Sequence, residues 1–237
     1  MWEWFGISDQ GRVRQNNEDS YYAGSEGLFV VADGMGGAQA GELASRIAVD
    51  SLRDSLNGTP APGPEMLRQA VLDANRKVME AAAQDSSRAG MGTTLVAMLA
   101  QGPDVHVASV GDSRAYVYDA AKLIAITEDQ TWVNEVGRKL GLDDASLRTH
   151  PMRHMLTMAI GQTSNLRVQM YTLRPRPGAH ILLCCDGLHG VLPEEKIASV
   201  LAKAVSLETK AHELIDAANK AGGPDNITAI LLRRLEA

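Results

Sequence analysis

Three apolar runs of the chain end on an aspartate followed by a small or turn-forming residue: Asp33-Gly34, Asp112-Ser113 and Asp186-Gly187. The mirror image occurs where Asp225-Asn226 opens the last apolar run. An acidic pair, Glu18-Asp19, follows the polar stretch Arg14-Gln15-Asn16-Asn17. Strand ends are where a rigid scaffold presents functional side chains. Singly, each carboxylate has an ordinary structural explanation, because Asp-Gly is a turn dipeptide and Asp-Asn a cap. Together, carboxylates converging from strand ends repel one another unless positive charge sits between them. Oxygen ligands select hard divalent cations such as Mg2+ and Mn2+. His150 and His154 have i, i+4 spacing, but no third ligand lies nearby, so zinc is the lesser reading.

Other chemistries lack their residues. There is no GxxxxGK[ST] phosphate loop and no GxSxG elbow. Gly34-Met35-Gly36 follows a strand like a dinucleotide turn, but the third glycine position holds Gln39. The arginine that a cysteine phosphatase needs six residues after its nucleophile is replaced by Gly190 or Val191, so Cys184 and Cys185 read as core residues.

The elements that must position these carboxylates follow from periodicity. Leu28–Ala32, Thr93–Ala100, Val105–Val110, Ala115–Tyr118, Ile181–Cys185 and Ile227–Leu232 read as strands. Ala44, Ile47, Ala48 and Leu52 fall at helical spacing, as do Leu67, Ala70, Val71, Ala74 and Val78, with a short breaker loop at 57–64 between them. A further helix carries Leu207, Ala211, Leu214, Ile215 and Ala218 and stops at Gly222-Gly223-Pro224. Successive strands with few intervening helices imply antiparallel sheets, so the fold class is α+β. The stretch 132–170 has few clear periods and reads as a mobile, partly helical excursion.

Composition sets the bounds. The 237 residues suit one domain with one sizeable core, and aromatic content of 4% leaves that core to aliphatic side chains. Few rings and a net charge of −6 argue against nucleic acid and anionic membranes as partners. No run approaches the ~20 apolar residues of a membrane span, and no basic leader precedes an apolar stretch. Adjacent cysteines are poor disulfide partners, so a reduced, cytoplasmic protein is expected. Nothing suggests a large exposed apolar seam, so the expected state is a monomer.

Six motifs stand in order: RVRQNNEDS (12–20), VVADGMGG (30–37), GMGTTL (90–95), VGDSRAY (110–116), CDGL (185–188) and GGPDNIT (222–228). This order resembles the metal-dependent serine/threonine protein phosphatases of the PP2C (PPM) family in their compact bacterial form, from about Gly6 to Leu232. The resemblance implies a single domain over residues 1–237, an αββα sandwich of two antiparallel sheets flanked by helices, with the flap at 132–170. It implies two Mn2+ or Mg2+ ions. Asp33 would bridge them, Asp186 and Asp225 would complete the first site, and the Gly34 carbonyl and Glu18 would serve the second. Asp19 would act from behind or through water. Arg14 would grip the substrate phosphate, and Asn226 would hold a ligand or the phosphate in place. Such a pair of ions activates water, so no protein nucleophile is needed.

Three departures from the family pattern matter. Met35 stands where many relatives carry a histidine after the first aspartate, which leaves the general acid unassigned. Gly190 stands where an aspartate often joins the equivalent of Asp112 around a third ion. That third site is therefore expected to be weak or absent unless Asp143 or Asp144 substitutes. His189 reads as an ordinary, partly buried histidine. Arg148, Arg153 and His154 border the expected cleft. The implied activity is hydrolysis of phosphoserine and phosphothreonine on proteins, opposing a bacterial Ser/Thr kinase, with a secretion-linked, PppA-like role as the particular expectation. A phosphoprotein-binding pseudophosphatase and a two-metal hydrolase of small phosphate esters are the alternatives. The first would have lost core carboxylates, and none is lost here.

Overall fold

The computed structural model describes residues 1–36, 40–59 and 61–236, apart from the side chains of residues 144 and 148. In chain order its first elements are β1 (Trp2–Asp9), β2 (Asp19–Ala23), β3 (Leu28–Met35), α1 (Ala40–Leu56) and α2 (Pro64–Ala83). β4 (Gly92–Thr93), β5 (Leu95–Gln101), β6 (Asp104–Val110), β7 (Arg114–Asp119), β8 (Lys122–Ala125) and α3 (Asp144–Thr149) follow. The chain continues through β9 (Gln169–Leu173), β10 (His180–Cys184), α4 (Asp186–His189), α5 (Glu194–Leu201), α6 (Leu207–Lys220) and β11 (Ile227–Arg234).

The strands form two antiparallel sheets. One has the order β1-β11-β10-β7-β8; the other has β2-β3-β5-β6-β9, with β4 paired to β3. Period-2 alternation explains the layers. Along β3, Leu28, Val30 and Ala32 pack under α1 and α2, while Phe29 and Val31 face the opposite sheet. Along β11, Ile227, Ala229 and Leu231 meet α5 and α6, and Ile230 and Leu232 face inward. Both sheets are therefore covered on both faces, which gives the αββα sandwich expected from the motifs. The neighbouring cysteines obey the same rule: Cys184 packs among helix-facing residues and Cys185 in the layer between the sheets. Each fully buried Leu or Ile in these layers contributes roughly 1.5–3 kcal/mol.

The strands and helices read from periodicity are present, with corrections. β3 continues past Ala32 to Met35, so Asp33 lies within a strand and not beyond its end. The Thr93–Ala100 run divides at Thr94, whose N–H donates to the Asp33 carbonyl, while Thr93 pairs with Ile160. β1, β2, β8, β9, α4 and α5 are not among the elements read from periodicity. β1 is half-buried along its whole length and shows no alternation. β2 starts on an aspartate, and α5 spans only 8 residues. The irregular stretch after Thr131 contains a π-turn at Val133–Gly137 and α3, and is tied down by bridges Thr131↔Leu156 and Thr93↔Ile160. β9 begins inside the span expected to be irregular.

Candidate active site

The layer between the sheets changes chemistry at one end. Reading inward-facing positions along β3 gives Phe29, Val31, Asp33; along β11, Leu232, Ile230, Thr228; along β10 and just past it, Ile181, Leu183, Cys185. Asp19 is the cross-strand partner of Asp33. One oxygen of Asp19, one of Asp33 and the Cys185 Sγ all lie within 4.8 Å of one another. An apolar seam thus ends in carboxylates, which open into a cleft of about 1010 Å³.

The cleft is lined by Arg14, Glu18, Asp33, Gly34, Asp112, Asp186, Asp225 and Asn226, so the residues expected from the sequence converge there, with Asp19 directly behind. Asp186 is the first residue of α4, and a side chain on the next residue could not fit: a Cβ on Gly187 would lie 1.9 Å from the Asn226 carbonyl oxygen. Gly34 is equally constrained, since its Cβ would lie 2.1 Å from the Gly41 carbonyl oxygen. These two close approaches let α4 and β3 present Asp186 and Asp33 to the same space.

Asn226 takes one of its two expected roles, holding a ligand residue and not the phosphate. Its Nδ2 donates to the carbonyls of Gln10 (2.9 Å) and Asn16 (2.8 Å), and its Oδ1 accepts the Glu18 N–H at 2.8 Å. Both amide donors and one of the carbonyl's two lone pairs are engaged within the protein. Asn226 therefore holds the loop that carries Glu18 and has no donor left for a phosphate. Arg14 is different. Its Nη2 meets Asp225 Oδ2 at 2.7 Å while the side chain stays 54% exposed at the rim, leaving donors for an incoming anion.

Electrostatics explain what the cluster lacks. Burial pushes Asp33 well above the ordinary carboxylate range, and Asp19, Asp186, Asp112 and Asp225 push it further. Asp19 is pushed up to about 7 by burial, against the Thr228 hydroxyl that favours its charged form. Burial also raises Asp186, with Asp225 adding to it. Asp112 is raised to about 7, by burial first and then by Asp186. Asp19 Oδ1 and Asp186 Oδ1 are buried and accept no hydrogen bond. Orphaned carboxylate oxygens in mutual repulsion are what a hard divalent cation would satisfy, so the residues present fit such ions.

Other expectations resolve differently. His189 donates from Nε2 to the Asp112 carbonyl at 2.9 Å and is lowered to about 4 by burial, so it is a neutral strut for the Asp112 turn. His150 stacks on Trp132 at 4.1 Å and its Nδ1 accepts the Met152 N–H, so it does not join His154 around zinc. His154 lines the cleft instead. Asp143 caps α3 by accepting the Ser146 N–H at 2.8 Å and does not line the cleft. Gly37, Gln39, Pro60 and the side chains of Asp144 and Arg148 lie outside the described residues. Thr94, inside the GMGTTL motif, and Gln162 and the run Met155–Ala159, inside the expected flap, also line the cleft, although none was singled out as a site residue.

Comparison with known proteins agrees with this architecture. Residues 10–220 match the family described as Protein phosphatase 2C. The chain belongs to that family. It is similar to the serine/threonine phosphatase stp of Listeria welshimeri, 35% identical over 236 residues that cover 96% of this chain and 94% of the relative. Among solved structures, the catalytic domain of the serine/threonine protein phosphatase PstP in complex with 2 manganese ions superposes with a TM-score of 0.89 at 32% identity, covering 99% of both chains. PppA, a regulatory component of the type VI secretion system in Pseudomonas aeruginosa, superposes with a TM-score of 0.86 at 32% identity, covering 98% of this chain and 97% of that one.

Proposed function

We propose that this chain is a metal-dependent protein phosphatase that hydrolyses phosphoserine and phosphothreonine esters on proteins. The observation that carries the reading is the meeting of Asp33, Asp186 and Asp225 in one cleft, with buried orphan oxygens behind them and Arg14 at the rim. Two Mn2+ or Mg2+ ions would be held there by Asp33, Asp186 and Asp225 and by Glu18 with the Gly34 backbone. When bound, such ions acidify water and polarise phosphoryl oxygens.

The chain's own residues supply the rest. Arg14, braced by Asp225, offers its remaining N–H donors to phosphoryl oxygens in a planar fork. Asn226 fixes Glu18 through its backbone N–H. No protein nucleophile is required, and the cysteines are unsuited to be one: burial raises Cys184 to about 12 and Cys185 well above its usual value. Asp112 faces the same cleft, and Gly190 brings no side chain to join it, so a third ion would be weakly held. The open cleft bordered by the 132–168 excursion suits a phosphoprotein better than a small ester. A bacterial Ser/Thr kinase would supply its substrates. The unbridged buried thiols suit a cytoplasmic enzyme, and we read it as a monomer.

The test is phosphate release from a phosphothreonine peptide. The expected result is a rate that needs Mn2+ and disappears with EDTA. A rate indifferent to EDTA would overturn the reading.

A further inference from the structure

Asp19 stands at the junction of the sheets and is held by a closed ring of hydrogen bonds. Its N–H donates to Asn17 Oδ1 at 3.1 Å. Asn17 Nδ2 donates to Ser8 Oγ at 2.8 Å. Ser8 Oγ lies 2.7 Å from Thr228 Oγ1. Thr228 Oγ1 donates to Asp19 Oδ2 at 2.6 Å. A hydroxyl has one proton, so Thr228 spends its own on Asp19 and Ser8 must donate to Thr228. Each hydroxyl proton is used once, and the ring returns to the residue where it began.

The ring joins two register pairs. Ser8 and Thr228 are cross-strand partners in one sheet, and Asp19 and Asp33 are partners in the other. The layer between the sheets is built mainly of apolar side chains, which transmit contact but not direction. The bond from Thr228 to Asp19 supplies direction at the one place where a carboxylate must be aimed. It occupies Oδ2 and leaves Oδ1 buried and unpartnered beside the cluster. Thr228 is fully buried, and its backbone is separately fixed by Cys185, so its hydroxyl is not needed to hold the strand.

We propose that Thr228, Ser8 and Asn17 are positioning residues that hold Asp19 with one oxygen committed to the protein and the other presented toward Asp33, and that this sets the affinity of the cleft for divalent cations. The inference rests on the metal-dependent reading above but concerns binding of the ion, which is measured without turnover.

The experiment titrates Mn2+ into the metal-stripped protein, read by the electron paramagnetic resonance of free Mn2+, for the parent, Thr228→Val, Thr228→Ser and Ser8→Ala. Valine keeps the shape and removes the donor. Thr228→Val is expected to weaken Mn2+ binding by about tenfold, the worth of a hydrogen bond to a charged group. Thr228→Ser restores it, and Ser8→Ala, one bond further away, weakens it a few-fold. The Mn2+ concentration for half-maximal phosphate release rises by the same factors, while kcat at saturating Mn2+ changes less. Thermal melts verify that each variant is folded, and Ser8→Ala, at a half-buried site, keeps the test open should Thr228→Val be unstable. Parental Mn2+ affinity in Thr228→Val, or weakening that Thr228→Ser does not restore, overturns the proposal. A parent protein that binds Mn2+ but releases no phosphate overturns the phosphatase reading and leaves the ring's effect on binding to stand or fall by itself.

Discussion

Asp129 and Asp33 are both carboxylates drawn out of water near the cleft, yet they are treated in opposite ways. Arg114 forks onto Asp129, with Nε to Oδ1 and Nη2 to Oδ2 both at 2.7 Å, and its Nη1 donates to the Tyr116 hydroxyl. Among the described residues Asp33 has no arginine forked onto it; the charges that act on it are those of Asp19, Asp186, Asp112 and Asp225. Asp112 feels both regions, raised by Asp186 and Asp129 and lowered by Arg114. A chain that pairs one carboxylate with a bidentate arginine and gives a cluster of several carboxylates nearby only the rim contact of Arg14 with Asp225 is keeping that cluster for a cation from outside. The paired region serves stability and the unpaired region serves function, at a cost in stability.

The strongest way to break this contrast is Asp33→Asn. Phosphate release at saturating Mn2+ should fall by at least about a hundredfold, since a group shared by both expected ion sites is lost. The same variant should melt roughly 2–4 °C higher than the parent when both are metal-free, because a repelled, buried charge has been removed. A metal-free variant that melts lower would mean that Asp33 is compensated after all.

That double effect also marks how far the sequence could be read. Asp33, Asp186 and Asp225 were legible because each adjoins a compact apolar run that reads as a strand, and their motifs stand in family order. Asn226 was legible as a residue that holds either a ligand or the phosphate, but the choice between the two was not, since only the folded loop brings Gln10, Asn16 and Glu18 around its amide. Thr228 lay inside the GGPDNIT motif without an assigned role. Its parity with Ile230 and Leu232 places it on the inner face, but the contact with Asp19 requires the packing of two sheets, which no local pattern encodes. β1 and β9 escaped because edge strands are half-buried and lose the alternation on which strand reading depends.

At the rim, Arg14→Ala should lower kcat/KM for a phosphothreonine peptide by about ten- to a hundredfold. Arg14→Lys should recover only part of it, because an ammonium cannot reproduce the fork braced on Asp225. Full activity in Arg14→Lys would mean that a point charge suffices and that the bracing is incidental.

In the paired region the sign reverses. Arg114→Ala strands Asp129, whose side chain is only 13% exposed, and should cost about 2–4 kcal/mol in denaturant unfolding. The metal-free Asp33→Asn variant gains stability while Arg114→Ala loses it, and that opposition is the sharpest statement of the comparison. Two losses of similar size would erase it.

The smallest effect lies in the pH dependence of the metal-free protein. Asp19 and Asp112 are raised to about 7 in the folded state, so between roughly pH 4 and 7 the native protein holds more protons than the unfolded chain. These groups therefore leave stability intact at low pH and withdraw it as pH rises toward 7. His180 and His189 act in the opposite direction: burial lowers both to about 4, so they withdraw stability as pH falls from about 6.5 toward 4. A single melting curve against pH mixes the two. The difference between Mn2+-loaded and metal-free melts separates them, because His180 is hydrogen-bonded to Lys210 at the far end of β10 and His189 turns its Nε2 to the Asp112 carbonyl. That difference should grow as pH rises from 5 to 7 and then level off. Mn2+ replaces the protons that the carboxylates would otherwise keep, and each pH unit of proton linkage at one group is worth about 1.4 kcal/mol at most. In Asp33→Asn the growth should be much reduced, while the histidine-driven loss below pH 6 remains. A difference that is flat with pH in the parent would place the carboxylates in ordinary, compensated surroundings, like Asp129.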